Sequence, residues 1–169
     1  MPEIALNILD VAENSVRAGA KVVTITVEID EAADTLGVTI ADDGCGMSEE
    51  QTAHVTDPFF TTRTTRTVGL GVPFFKQAAE LSGEGTAVHA VFGLRSIDRM
   101  PLGDVSGVIH DLVTFHPEMD VCYTYRFNGR AFTMDTRQFR EVLGGVRLDT
   151  PEVSDYICVR ISRKPTAAL

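Results

Sequence analysis

Apolar residues recur at helical spacing through the first positions of the chain. Ile4, Leu6, Ile8, Leu9, Val11, Ala12 and Val16 form a broad stripe that Gly19 ends, which predicts a helix over 3–18. The pattern then changes to alternation in β-branched runs, KVVTITVEI (21–29) and LGVTIA (36–41). Two strands are predicted there, joined by the polar turn DEAADT. A glycine loop, DDGCGM, follows, and then SEEQTAHV, where Ser48 suits the N-cap of a short helix. From Asp57 to Gly71 the chain is rich in Thr, Arg and Gly without an apolar period, as expected of a long lid-like loop. VPFFKQAAELS (72–82) reads as a helix and TAVHAVFGL (86–94) as a strand.

RSIDRMPLG breaks the pattern near 95–102, so a second unit is expected beyond it. The division falls between 1–94 and 95–169. The second unit carries a helix in DVSGVIHDLVTF and a hairpin over 121–135, where Asn128-Gly129 lies between alternating runs. Helical segments follow in TRQFREVLGG and TPEVSDYICVRIS, and there are no internal repeats.

Composition narrows the choices. With 169 residues, 44% hydrophobic and 23% charged, the chain can bury a substantial core. A net charge of −9 argues against bulk attraction to nucleic acid or an anionic membrane. The opening MPEIALNILD has neither a basic leader nor a long apolar run, and a cytoplasmic protein is the expectation. Cys45, Cys122 and Cys158 are far apart and lack metal-ligand spacing, so three reduced thiols are expected. His54, His89, His110 and His116 read as partly exposed or satisfied histidines rather than phosphoacceptors.

Candidate chemistry gathers in the first unit. Asp10 and Asn14 are four apart and share one face of the first helix, while Glu13 points elsewhere. Asp42 ends a strand, where its carboxylate can accept a hydrogen bond from an exocyclic amine, and Gly44 and Gly46 let a planar ring approach the backbone. Gly69 and Gly71 precede a helix whose free amides suit phosphate. An amide oxygen such as that of Asn14 can hold Mg²⁺, which prefers oxygen ligands and keeps several waters. A base, a metal and a phosphate chain thus each have a candidate partner. Arg63, Arg66 and Lys76 read first as solvated charges, with a phosphate role as the lesser alternative.

Four blocks in order resemble those of the GHKL superfamily, the ATP-binding domain shared by DNA gyrase B, Hsp90, sensor histidine kinases and MutL. ILDVAENSVRAGA resembles the N box in its MutL form, DDGCGM the G1 box, DPFFTTR the kinase F box, and VGLGVPFFKQAAE the G2 box. The resemblance covers about the first 94 residues and implies an α+β, Bergerat-type two-layer sandwich: a mixed sheet covered by helices on one face, here with a small C-terminal α/β extension. It implies that Asn14 coordinates Mg²⁺, that Asp42 binds the adenine amine with Thr86 assisting, and that Gly69 and Gly71 let a lid wrap the phosphates. Gly44, Gly46, Met47, Phe60 and Leu70, in the matching blocks, complete the nucleotide-binding set. Hydrolysing relatives carry Glu where this chain has Asp10, which implies a catalytic role in orienting or deprotonating water; an ordinary surface carboxylate is the alternative.

The chain departs from the family pattern in three ways, one being that residues 95–169 match none of the four blocks. No paired helix with a phosphoacceptor His precedes the N box, and about ten residues, a strand pair, are missing between AELSG and EGTAV. The resemblance implies a protein that binds ATP or ADP with Mg²⁺ and works as a nucleotide-dependent switch or regulator toward a protein partner, with possible ATPase activity. The alternatives are a protein kinase acting in trans on serine or histidine, and a nucleotide-independent interaction module.

Overall fold

The computed structural model describes residues 3–45 and 85–163, and the backbone of 78–80. In chain order the elements are α1 (Ile4–Arg17), β1 (Val22–Asp30), β2 (Thr35–Asp42), β3 (Ala78–Glu80), β4 (Thr86–Gly93), α2 (Val105–Phe115), β5 (Asp120–Phe127), β6 (Arg130–Asp135), α3 (Thr136–Leu143) and α4 (Pro151–Ser162). The strands form one six-stranded sheet in the order β3-β4-β2-β1-β5-β6. Every neighbouring pair is antiparallel except β1 and β5, so the sheet is mixed.

One face of the sheet is dry. Val23, Ile25 and Val27 of β1 are fully buried, as are Val121 and Tyr123 of β5, and Leu36, Val38 and Ile40 of β2 join them. Against this face lie the inward residues of α1 (Ile4, Ala5, Ile8, Ala12) and of α2 (Val105, Ile109, Leu112, Val113). Each such aliphatic side chain contributes about 1.5–3 kcal/mol relative to exposure, so the alternation and the helical stripe alone decide which faces meet. The other face carries Thr24, Thr26, Thr39, Thr124 and Thr133, half-exposed or exposed, with exposed His89 and the exposed pair Arg126–Glu28.

α1 has no side-chain N-cap. Its first amides are satisfied instead by the carbonyls of Pro101 and Leu102, at 3.0 and 2.8 Å, which fastens the start of the helix to the segment leading into α2. At its other end, Glu13 meets His116, just past α2, at 2.9 Å. Asn128 and Gly129 turn the β5–β6 hairpin with positive φ at both positions, the geometry the Asn-Gly pair was expected to supply. Asn128 also accepts a hydrogen bond from the Glu31 amide and donates to the Glu31 carboxylate, tying this hairpin to the β1–β2 turn.

Two expectations meet the structure differently. Of the helix expected over 72–82, Ala78–Glu80 instead form a short strand paired with β4, from Ala78 opposite His89 to Glu80 opposite Ala87, and the rest of that segment lies outside the described residues. Ala-Ala-Glu favours helix, but the open edge of β4 presents backbone donors and acceptors that a strand satisfies, and tertiary pairing overrides local propensity. The strand lies just ahead of EGT, where a strand pair was expected to be missing. Beyond the division at 94/95, β5 is hydrogen-bonded along β1 from Val22–Asp120 to Ile29–Phe127, so both parts of the chain contribute strands to one sheet.

Candidate functional site

The site is built where α1 crosses the end of β2. Asp42 is the last residue of β2 and shares the parity of the buried Leu36, Val38 and Ile40, so its side chain projects to the helix-covered face. There its carboxylate is held from two sides: Ser15 Oγ donates to Oδ2 at 2.6 Å and the Gly44 amide donates to Oδ1 at 2.9 Å. Ser15 is 2% exposed and follows Asn14 directly, so the helix that carries Asn14 is also the one that fixes Asp42. Among the described residues no cation touches this carboxylate; its partners are a hydroxyl and an amide.

The backbone around Asp42 is confined by glycines at two points. Gly85 has φ +134 and packs so closely that a Cβ there would overlap the Asp42 carbonyl oxygen. No other residue fits both the conformation and the space. At Gly44 a Cβ would lie 3.0 Å from that of Ala18, at the close of α1. Cys45 continues this contact by donating its amide to Ala18 O at 3.1 Å. Asp43, meanwhile, turns toward β1 and accepts the Val22 and Lys21 amides at 2.9 and 2.7 Å. The Val22 hydrogen bond is the main cause holding its carboxyl below the usual carboxylate range, with burial opposing and the Lys21 amide helping.

Thr86 pairs with Asp42 across β4 and β2, so the two side chains are neighbours on one face of the sheet. On α1, Asp10 is half-buried and Asn14 exposed, one turn apart on the rim above them. The Asn14 Oδ1 accepts a hydrogen bond from Arg17 Nη1 at 3.0 Å. That oxygen is a hard ligand of the kind Mg²⁺ takes, so the chemistry of the donor fits the metal once Arg17 releases it. No group of three His, Cys, Asp or Glu among the described residues could hold a metal by itself.

The structure therefore brings together Asp42, Gly44 and Thr86, with Asn14 next to Ser15 on α1 and Asp10 one turn before Asn14. Gly46, Met47, Phe60, Gly69, Leu70 and Gly71 lie outside the described residues, as do Arg63, Arg66, Lys76 and the short helix expected after Ser48. Ser15 and Gly85 are the site residues that the sequence reading did not single out. Ser15 carried a signal, because a polar residue sits three after Ala12 on the apolar stripe of α1 and needs a buried partner. His89, His110 and His116 each have a hydrogen-bond partner, in Thr39, Ser154 and Glu13. No helix among the described residues is long and apolar enough to cross a membrane.

Comparison with known proteins agrees with this fold. A solved structure, the Aquifex aeolicus MutL ATPase domain complexed with ADP, superposes with a TM-score of 0.54 at 13% identity, covering 85% of this chain and 69% of that one. The sensor protein kinase FleS of Pseudomonas aeruginosa is 36% identical over 60 residues, which span 36% of this chain and 15% of the kinase. Residues 3–106 match the family model of histidine kinase-, DNA gyrase B- and HSP90-like ATPases, a stretch that contains α1, β1 to β4 and every residue gathered around Asp42. With its mixed sheet, its α1 rim and most of its length under that match, the chain belongs to the histidine kinase-, DNA gyrase B- and HSP90-like ATPase family.

Proposed function

We propose that the protein binds Mg²⁺-ATP at the Asp42 rim and acts as a nucleotide-dependent switch toward a protein partner in the cytoplasm. The observation that carries this reading is the state of the Asp42 carboxylate. It is oriented by Ser15 and the Gly44 amide yet paired with no cation among the described residues, which leaves it acceptor capacity for an exocyclic amine. Thr86, opposite it, stands where a hydroxyl can hydrogen-bond the same ring. Asn14 would hold Mg²⁺, which supplies neutralisation of the phosphate charge. Asp10, one turn away, orients water toward the terminal phosphate; its carboxylate is one methylene shorter than that of Glu, so turnover is slow.

A calorimetric titration with Mg²⁺-ATP tests this. The wild-type chain binds, and Asp42→Asn loses up to about a hundredfold in affinity, since the acceptor of the buried amine hydrogen bond becomes a donor. Absence of binding by the intact wild-type chain would refute the reading.

A second reading rests on the similarity to a sensor protein kinase over 60 residues. In it the same rim holds ATP for phosphoryl transfer to a protein, with Asp10 no longer positioning water. Labelled ATP separates the two: free phosphate that Asp10→Asn abolishes marks hydrolysis, and label on protein marks transfer.

A further inference from the structure

Away from the Asp42 rim, α2 and α4 meet at a second set of polar groups. His110 Nε2 lies 2.6 Å from Ser154 Oγ, and His110 Nδ1 lies 3.5 Å from the carboxylate of Asp111, the residue that follows it. The imidazole is 30% exposed and Asp111 54%, so the cluster faces solvent across one side of the helix pair. A carboxylate beside Nδ1 favours the tautomer with its proton there, which leaves the Nε2 lone pair to accept the serine O–H. In that tautomer the serine proton is directed at Nε2 across 2.6 Å, the arrangement of an activated nucleophile.

The local helix geometry suits an anion on that hydroxyl. Ser154 is in the first turn of α4, and its side chain leans toward the N-terminus of the helix. Thr150, the N-cap, donates its hydroxyl to Arg147 O at 3.0 Å and makes no cap bond, so its side chain accepts neither the Glu152 nor the Val153 amide; Pro151 has no N–H, and the Ser154 amide donates to Thr150 O at 2.9 Å. A phosphate on Ser154 would lie against the Glu152 and Val153 amides and the positive end of the helix dipole. Glu152, Asp155 and Asp111 stand within two residues of the serine or the histidine, so the surroundings of the hydroxyl are acidic and disfavour a free phosphoanion.

We infer that Ser154 is a phosphoacceptor, activated by His110 and taking the γ-phosphoryl group of ATP bound to a second copy of this chain. The inference rests on the nucleotide reading for its donor. In the step, Ser154 Oγ forms a bond to the γ-phosphorus, the bond from that phosphorus to the β–γ bridging oxygen breaks, and ADP leaves with the electron pair. The serine proton passes to His110 Nε2, and Asp111 orients the imidazolium.

The test is incubation of the full chain with Mg²⁺ and γ-labelled ATP, followed by acid treatment and peptide mass spectrometry, with ATP binding measured separately by calorimetry. The expected result is acid-stable label on Ser154, formed at a rate per molecule that rises with protein concentration. Ser154→Ala removes it while binding ATP as wild type does, and His110→Gln lowers it at least about tenfold, since general-base assistance is typically worth about a hundredfold or more. Acid-labile label on His110 that persists in Ser154→Ala overturns the inference, as does ATP binding with no label on Ser154. If ATP does not bind, the nucleotide reading fails separately and with it the donor. Ser154 is then judged by diisopropyl fluorophosphate, which should label it in wild type and not in His110→Gln; equal or absent labelling overturns its activation too.

Discussion

Asp42 and Asp120 stand at the same end of the two strands that flank β1, paired with its Val23 and Val22, yet they are satisfied in different ways. Asp120 accepts from the Thr136 hydroxyl at 2.9 Å and from Arg140 Nε at 2.6 Å, while Arg140 also reaches Pro117 O. Thr136, fully buried, in turn accepts the Val121 amide, so the acid, the hydroxyl and the guanidinium fasten α3 to β5. Asp42 has the hydroxyl, from Ser15, and an amide, but among the described residues no guanidinium. A permanent cation makes the one acid a structural tie. Neutral donors leave the other oriented and able to accept from a ligand.

The most damaging break in this contrast lies in the backbone behind Asp42. Gly85→Ala should destabilise the fold by about 1–3 kcal/mol and abolish nucleotide binding, because the new methyl overlaps the Asp42 carbonyl at a φ that L-residues avoid. Urea unfolding and calorimetry on one preparation check both effects.

Next in size is the crossed pair of Ser15→Ala and Asp120→Asn. Ser15→Ala frees the Asp42 carboxylate and should cost about tenfold in ATP affinity, near 1.4 kcal/mol. Asp120→Asn should cost about 1 kcal/mol of stability and leave ATP affinity unchanged. If each substitution instead moved both quantities alike, the division between tie and ligand acceptor would not hold.

A smaller effect sharpens the comparison at the metal. Arg17 occupies Asn14 Oδ1 at an exposed position, so Arg17→Ala should raise Mg²⁺-dependent ATP affinity a few-fold, in line with about 0.2–1 kcal/mol for an exposed charged contact. Affinity measured in EDTA should not change.

The smallest concerns acid. Asp43 is held below its ordinary value chiefly by the Val22 amide, so its contribution to stability is present above the unfolded carboxylate value near about 3.9 and is lost as pH falls through the lower folded value. Asp43→Asn should therefore lower the urea midpoint slightly at about pH 6 and flatten its decline toward about pH 3.

Local signals made much of this legible. α1 came from its stripe, β1, β2 and β4 from alternation, and the β5–β6 hairpin from Asn128-Gly129. The parallel pairing of β1 with β5 could not be read, since nothing near Val22 encodes Asp120 as a neighbour. β3 was misread because Ala78–Glu80 carries helix propensity while its strand state is set by the edge of β4. At the site, the strand-end position pointed to Asp42 and the family resemblance to Thr86, and the two pair across β2 and β4; the roles given to Asp10 and Asn14 are proposals. Ser15 was not legible, because its role depends on where α1 crosses β2, and the Ser154 contact depends on the packing of α4 on α2.

The β1–β5 ladder also bears on how the chain reaches its native state. β1 lies between one partner that is close in sequence and one nearly a hundred residues away, whose loop must close before a single hydrogen bond of that ladder can form. The β1–β2 hairpin can assemble early, while β5 docks late and leaves the inner flank of β1 unpaired in the interval. A polypeptide ending at residue 94 would keep that flank open permanently, with Val23, Ile25 and Val27 beside it deprived of Val121, Tyr123 and Tyr125. Such an edge recruits other strands, so the shortened chain should associate with itself rather than behave as a smaller version of the protein.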